Sequence, residues 1–226
     1  MCFSAAASFA ASAVLLVLGG ASMGVVRKRS ELPFAAIPLI FALQQFSEGL
    51  VWLGLDHGRP GLSAAMAQVF AFFALVLWPA YVPLTVWLAE PVGRRRRALA
   101  WVAGGGAVVS AGLLLIFLAW PVTVEQRAYH LEYRSAPFLG VGATALYLGV
   151  TTLSLLMSTQ PWIRRFGVLV LLAFALTAVL YAGWFVSVWC FFAAVVSSVV
   201  CLQLLARRRR ERLARRVGVS VTSTMA

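Results

Sequence analysis

Charged residues are scarce in this chain. Asp, Glu, Lys and Arg make up 12 % of its 226 residues, and hydrophobic residues make up 62 %. A soluble globular domain carries about 25 % charged residues. A chain with so little charge cannot cover a water-facing surface, so its composition excludes an ordinary soluble domain and predicts an integral membrane protein.

Several motifs of known chemistry are also missing. The three cysteines, Cys2, Cys190 and Cys201, have no CxxC or zinc-finger spacing, and their odd number gives no disulfide framework. No GxGxxG or HExxH sequence is present, which removes the usual signals for nucleotide binding and zinc peptidases. No lysine lies in the last predicted helix, so a retinal Schiff base is excluded, and no cofactor is predicted. That helix and the one before it also lack the histidines expected of a ceramidase-type hydrolase.

The positive charge does not indicate nucleic-acid binding. The net charge is +12, but the basic residues form short clusters between long apolar runs. This is the distribution that the positive-inside rule gives to a multi-pass membrane protein. The arginine-rich tail, residues 207–216, predicts contact with anionic lipids of the inner leaflet. No nucleic-acid partner is expected.

The apolar runs predict an all-α bundle of seven transmembrane helices. No basic cluster precedes the first run, so we expect no cleavable signal peptide and an N-terminus outside the membrane. With that orientation 16 of the 19 basic residues lie on the cytoplasmic side, including the C-terminal tail at 207–226. The expected location is a bacterial inner membrane. The predicted helices, in a single domain over residues 1–206, are 4–26, 33–55, 64–89, 98–120, 138–158, 166–183 and 186–206.

The second predicted helix carries an unusual polar stripe. Phe41, Gln44, Gln45, Glu48 and Trp52 fall within about 100° of one helix face. A charged side chain that faces lipid at mid-membrane costs at least about 2.5 kcal/mol. This face is therefore expected to point into the protein interior, with the other helices packed around it. Glu48 is expected to hydrogen-bond to Gln44, to Gln68 or to a tyrosine or tryptophan of another helix.

Two further patterns concern helix packing. Pro79 and Pro83 cannot donate backbone hydrogen bonds, so the third predicted helix should bend or lose regular hydrogen bonding between residues 78 and 83. Gly20-x-x-x-Gly24, and the three glycines at 104–106, predict close approach of neighbouring helices.

The predicted topology brings scattered polar residues to the outer third of the bundle. Glu48 lies about 9 Å below the outer end of its helix, at 1.5 Å per residue. The candidate ligand-binding or proton-carrying residues are Glu48, Gln44, Gln45, Gln68, His130, Trp184 and Trp189. Cys2, Glu48 and His130 have side chains that suit zinc or copper, although no spacing motif supports a metal site. Each residue also has a structural alternative: a hydrogen bond that holds helices together, or an ordinary loop position.

Four strings in the sequence resemble one family. They are Met-Cys-Phe-Ser-Ala at residues 1–5, Glu-Leu-Pro-Phe-Ala-Ala at 31–36, Glu-Gly-Leu-Val-Trp at 48–52 and Trp-Phe-Val-Ser-Val-Trp-Cys-Phe-Phe at 184–192. The chain resembles a family of uncharacterised bacterial multi-pass membrane proteins, classed as a domain of unknown function. The resemblance implies no activity. It does imply that Cys2, Glu48, Trp189 and Cys190 belong to the family's own pattern.

Three functions are compatible with these features. The first is a non-enzymatic membrane protein whose outward-facing polar pocket binds or moves a small ligand or a proton. The second is a membrane-embedded enzyme, with or without a metal, that uses Glu48, His130 and Cys2 on a lipid-like or small substrate. The third is a structural partner of another membrane complex.

Overall fold

The computed structural model describes residues 4–127, 130–134, 141–180 and 185–216. This part of the chain is mostly helical, at 85 %, which confirms the all-α class. The elements, in chain order, are α1 (Ala5–Val25), a 3₁₀ turn (Arg29–Glu31), α2 (Leu32–Ala35), α3 (Ile37–Asp56), α4 (Pro60–Ala71), a π-helical segment (Phe72–Leu77), α5 (Trp78–Ala89), α6 (Arg94–Ala119), β1 (Thr123–Arg127), β2 (His130–Arg134), α7 (Val141–Met157), α8 (Pro161–Leu180) and α9 (Phe185–Arg216).

Within the described residues, five helical stretches are long and apolar enough to cross a membrane. They are Ala5–Val25, Arg29–Asp56, Pro60–Ala89, Arg94–Ala119 and Pro161–Val179. Gly142–Met157 is apolar but shorter. The final helix, α9, continues from its apolar part into the arginine-rich run, so residues 207–216 are helical. Residues 217–226 and the predicted break at Gly183 and Trp184 lie outside the described residues.

The central helix is α3, which packs against α1, α4 and α9. Over 18 apolar residues of the stretch that contains α3, 67 % are buried inside the protein, against 11 % over 18 residues of α6. Two glycines allow this close packing. A side chain at Gly49 would overlap the ring of Phe9 on α1, and one at Gly54 would overlap the backbone of Ser63 on α4. The polar-faced helix is therefore at the centre of the fold, with its neighbours in close contact.

The proline pair disturbs the helix that contains it. Regular α-helical bonding gives way to a π-helical segment over Phe72–Leu77, immediately before Trp78 and Pro79. Side chains from neighbouring helices bond to carbonyls in this region. The Tyr147 hydroxyl donates to the Ala74 carbonyl at 2.9 Å, and Ser110 donates to the Val76 carbonyl at 2.6 Å. The irregularity lies outside the predicted segment, because residues 78–83 are α-helical. The π-helical segment comes just before Pro79, whose missing N–H affects a carbonyl four residues earlier.

The predicted glycine contacts are only partly correct. Gly20 and Gly24 have open space where a side chain would lie, and Gly19 packs against Leu39 of α3 instead. Of the three glycines at 104–106, Gly106 is the tightly packed one, because its α-carbon lies against the Pro79 carbonyl. The spacing pattern identified the right segments but the wrong residue in α1, because α1 presents a different face to α3.

Contacts at one end of the helices bring several loops together. Arg207 Nη1 lies 3.1 Å from Glu31 Oε1, which joins the end of α9 to the start of α2. The Phe34 ring packs edge-on against Trp162, 5.0 Å between centroids, and this contact joins α2 to α8. Glu90, after α5, accepts a 2.7 Å hydrogen bond from Ser158 before α8. The basic clusters beside these residues therefore lie near the same end of the molecule.

We expect Gly106→Leu to lower the stability of the fold by about 1–3 kcal/mol, because the new side chain overlaps the Pro79 carbonyl. Thermal unfolding of the detergent-solubilised protein measures the change. Gly104→Leu is the matched control, since position 104 on the same helix has open space around it. Equal unfolding temperatures for the two variants would contradict the packing of α5 against α6.

Candidate functional site

The predicted polar stripe of α3 is buried. Gln44, Gln45 and Glu48 are each 0 % exposed, and Trp52 is 2 % exposed. Residues three, four and seven positions apart lie on one side of a helix, so these four side chains form a continuous stripe. The expectation that Glu48 faces the interior is confirmed.

Gln44 is held by a tryptophan from the neighbouring helix. The Trp78 indole Nε1 donates to Gln44 Oε1 at 3.0 Å, in a fully buried hydrogen bond. The same indole stacks on Phe41, with 4.2 Å between ring centroids and 23° between planes. Trp78 is the residue that follows the π-helical segment, so the disturbed helix places the donor opposite α3.

The α9 side of the stripe is lined by a thiol and aromatic rings. Cys190 is 2 % exposed, and it interacts with both Gln44 and Glu48. Trp189 packs edge-on against Tyr147, 5.4 Å between centroids. A cavity of about 40 Å³ lies here, and its walls include Trp78, Tyr147, Trp189 and Cys190. Most of its lining side chains are apolar, and Gln44, Gln45 and Glu48 are not among them.

Several polar atoms of the stripe lack a hydrogen-bond partner among the described residues. Both Gln45 side-chain atoms, Oε1 and Nε2, are in this state, as are Gln44 Nε2 and Trp52 Nε1. Besides Trp78, the Gln44 amide interacts with the Cys190 thiol, which is a weak acceptor. A buried polar group without a partner costs about 1–3 kcal/mol. The stripe therefore has unused capacity to bind a polar guest.

A β-hairpin covers the end of the helices next to Trp52. Strands β1 and β2 pair antiparallel, with Val124 opposite Tyr133. Leu131 is 0 % exposed, and the Tyr133 ring stacks on Phe70 of α4 at 4.6 Å. Both belong to the apolar cluster that includes Val51 and Trp52. The sequence predicted only a loop here.

Gln68 has a structural partner instead of the predicted one. Its Nε2 donates to the Val122 carbonyl at 2.6 Å, and its Oε1 accepts from the Val122 backbone N–H at 3.3 Å. Both ends of the amide are thereby used to attach α4 to the segment that leads into β1. Gln68 is therefore a tether for the hairpin and is not available to Glu48.

The outer face of the hairpin carries four charged residues. Arg127 lies 2.7 Å from Glu132, Arg134 lies 3.0 Å from Glu132, and both arginines also contact Glu125. The hydrogen bonds from Arg134 hold the pKa of Glu132 below its ordinary value. Burial lowers the pKa of His130. Because successive side chains of a strand alternate between faces, His130 and Glu132 point away from the face that carries Leu131 and Tyr133.

The remaining predicted site residues have different outcomes. Trp189 is buried beside the cavity, as described above. Cys2 and Trp184 lie outside the described residues, so the proposed combination of Cys2, Glu48 and His130 stays a prediction. Within the part of the chain that the structure describes, no three His, Cys, Asp or Glu side chains are grouped closely enough to hold a metal ion.

Two buried carboxylates were not predicted from the sequence. Glu31 is 5 % exposed and pairs with Arg207, and Glu90 is 3 % exposed. Glu90 accepts hydrogen bonds from Ser158 and from the Thr159 backbone N–H, just before α8 begins. Each of these glutamates lies beside a basic cluster in the sequence. An acidic residue beside a basic cluster is the sequence feature from which an ion pair or a helix cap could have been predicted.

A family model matches residues 1–216. The chain belongs to the family of unknown function DUF6629. This membership confirms the family type that the sequence resemblance indicated, a family without an assigned activity. No curated protein and no solved structure matches the chain. The geometry of this DUF6629 member is therefore the basis for any functional proposal.

We expect the hairpin of this DUF6629 protein to loosen in acid. The folded-state pKa of His130 is below its ordinary 6.5, and that of Glu132 is below its ordinary 4.5. A group with a depressed folded pKa contributes stability above its unfolded pKa and loses it as the pH falls towards the folded value. Protection should thus fall first below pH 6.5 through His130, and again below pH 4.5 through Glu132.

Hydrogen–deuterium exchange of residues 123–127 and 130–134, corrected for intrinsic rates, measures this effect. Glu132→Gln should remove the step at lower pH, and Glu125→Gln, on the exposed opposite strand, should retain it. Protection that is independent of pH in the wild-type protein would show that these two groups do not hold the hairpin.

Proposed function

We propose that this protein is an integral membrane protein with seven spanning helices, an outer N-terminus and a cytoplasmic C-terminus. We further propose that the buried stripe of α3, centred on Glu48, binds a small polar ligand or carries a proton. The proposal has two independent parts: the topology rests on charge, and the site rests on the buried polar atoms of α3.

The charge distribution supports the orientation. The basic clusters at residues 27–29, 94–97, 164–165 and 207–216 would all be cytoplasmic, in agreement with the positive-inside rule. The contacts of Arg207 with Glu31 and of Phe34 with Trp162 bring three of these clusters near one another. The hairpin would then face the exterior, with Arg127 and Arg134 neutralised by acidic neighbours.

The observation that supports the site is that the buried Gln45 amide has no hydrogen-bond partner among the described residues. This amide is fully buried, yet neither its oxygen nor its nitrogen has a hydrogen-bond partner among the described residues. Glu48 lies one turn further along the same face, and Trp52 one turn beyond that, with an indole N–H in the same state. Such an arrangement is costly unless a guest that both donates and accepts hydrogen bonds occupies it for part of the time.

The size of the site limits the guest. The cavity of about 40 Å³ beside Trp78 and Cys190 is lined mainly by apolar side chains, so without opening the bundle it would admit only a molecule of a few heavy atoms. Water beside a buried carboxyl provides a route for a proton, since an intramembrane glutamate can change its protonation state. A larger guest would require the hairpin to move, because its Leu131 and Tyr133 side chains cover the end of the cluster next to Trp52.

We expect a reporter enzyme that works only outside the cytoplasm to be inactive when fused after residue 216. The same reporter inserted between residues 127 and 130 should be active. The physical reason is that translocation of the arginine clusters across the membrane is disfavoured. Activity of the C-terminal fusion would overturn the proposed orientation. Western blotting of both fusions checks that they are expressed equally.

We expect Gln45→Leu and Gln44→Leu to affect stability in opposite directions. Leucine at position 45 removes two buried polar atoms that lack described partners, so the unfolding temperature should rise or stay the same. Leucine at position 44 leaves the Trp78 indole N–H without its acceptor, which should cost about 1–3 kcal/mol. A fall in unfolding temperature for Gln45→Leu would show that this amide is a structural member of the core.

The same variants test function in proteoliposomes with an internal pH-sensitive dye. Gln45→Leu and Glu48→Gln should abolish proton flux while the protein stays folded, and Glu132→Gln, on the hairpin surface, is the control that retains it. If the wild-type protein passes no protons, binding of small polar solutes should stabilise wild type but not Gln45→Leu. Absence of both effects would favour a structural role for the stripe.

A further inference from the structure

We propose that the groove between the end of α5 and the start of α6 binds the phosphate headgroup of an anionic phospholipid. The groove is separate from the α3 stripe, and its volume is about 510 Å³. Its lining residues are Trp87, Val92, Gly93, Arg96, Arg97 and Ala100. They combine two guanidinium groups with an indole and small or apolar side chains, which suits a charged headgroup with an attached apolar chain.

The arginines beside the groove have positive charge that the protein does not neutralise. In the described part of the chain, none of the four arginines at 94–97 forms an ion pair with a carboxylate. The nearest acidic residue in the sequence, Glu90, is already bonded to Ser158 and Thr159. Arg95 donates to the Met157 carbonyl at 3.4 Å, which gives it a neutral acceptor only.

The helix dipole of α6 also favours binding of an anion at this groove. These arginines occupy the first turn of α6, where the helix dipole is positive and cations are disfavoured. Gly93, at the N-cap position, has no side chain to accept from the first backbone N–H groups. A phosphate in the groove would satisfy the guanidinium groups and the helix start together.

Trp87 orients one of the guanidinium groups. The Arg96 guanidinium carbon lies 5.5 Å from the centre of the Trp87 ring, in a cation–π contact. A planar guanidinium that packs on an aromatic face keeps its N–H donors available at its edge. Arg96 is therefore held in place by the indole and can still bond to phosphate oxygens.

The surroundings favour a lipid over free phosphate. Val92, at the groove, is 88 % exposed, and Trp101, two turns into α6, is 85 % exposed. Only 11 % of the spanning stretch of α6 is buried in the protein, so most of this helix is available to acyl chains. A headgroup at residues 96 and 97 would place its acyl chains along this surface. Exposed tryptophan near a helix end is also typical of a membrane interface.

Native mass spectrometry of the full chain in a neutral detergent tests the proposal. The probes are phosphatidylglycerol, which is anionic, and phosphatidylcholine, which is zwitterionic. We expect one phosphatidylglycerol to bind the wild-type protein more tightly than phosphatidylcholine does. Arg96→Gln/Arg97→Gln should weaken phosphatidylglycerol binding by about tenfold or more, because charge-assisted hydrogen bonds are lost. Trp87→Leu should also weaken it.

The matched control is Arg164→Gln/Arg165→Gln, which removes the same charge from two exposed arginines at the start of α8. The control should keep wild-type affinity. Equal weakening by both double variants would overturn the proposal, since it would indicate diffuse charge attraction. Displacement of the lipid by an equal concentration of inorganic phosphate would also overturn it, by indicating a site for the free anion. Should the double variant fail to fold, Arg97→Gln alone replaces it, with Arg165→Gln as its control.

Discussion

The main physical constraint in this fold is the polar stripe on its most buried helix. Three side chains of α3 that can each make several hydrogen bonds, Gln44, Gln45 and Glu48, are completely shielded from solvent. In an apolar environment such groups are tolerated only where neighbouring elements supply partners or exclude lipid. The close packing of α1 at Gly49 and of α4 at Gly54 keeps lipid away from these side chains. Trp78 provides the clearest hydrogen-bond partner.

The irregular helix between α4 and α5 follows from the same requirement. A π-helical segment adds residues to one turn and so changes the direction in which the next side chains point. Here the next side chain is Trp78, which bonds to Gln44. Tyr147 and Ser110 bond to carbonyls of the segment, so α6 and α7 stabilise the irregularity from outside. The two prolines, the π segment and the polar stripe therefore act as one structural unit, although Trp78 and Gln44 are 34 residues apart in the sequence.

Some of this arrangement could be predicted because it depends on local covalent geometry. The burial of Glu48 follows from helix periodicity, and the disturbed hydrogen bonding near Pro79 follows from the missing N–H. The hairpin was not predictable in the same way, because its order depends on contacts such as Tyr133 with Phe70 that connect distant segments. The partners of Gln68 and Glu90 were missed for the same reason: Val122 and Ser158 lie 54 and 68 residues away. Periodicity shows which face is buried, but it does not show what lies opposite.

A comparison of the buried glutamates distinguishes the two ends of the molecule. Glu31 and Glu90 are bonded to an arginine and to a helix start, respectively, and these contacts explain their presence as structural. The surroundings of Glu48 are different. Gln45 and Trp52, on the same helix face, have buried polar atoms that form no hydrogen bond with the described residues. A core selected for stability alone would replace Gln45 with leucine, since an apolar side chain of similar size avoids the cost of burial. The proposed ligand would supply the partners that the Gln45 amide lacks among the described residues, which packing alone does not do.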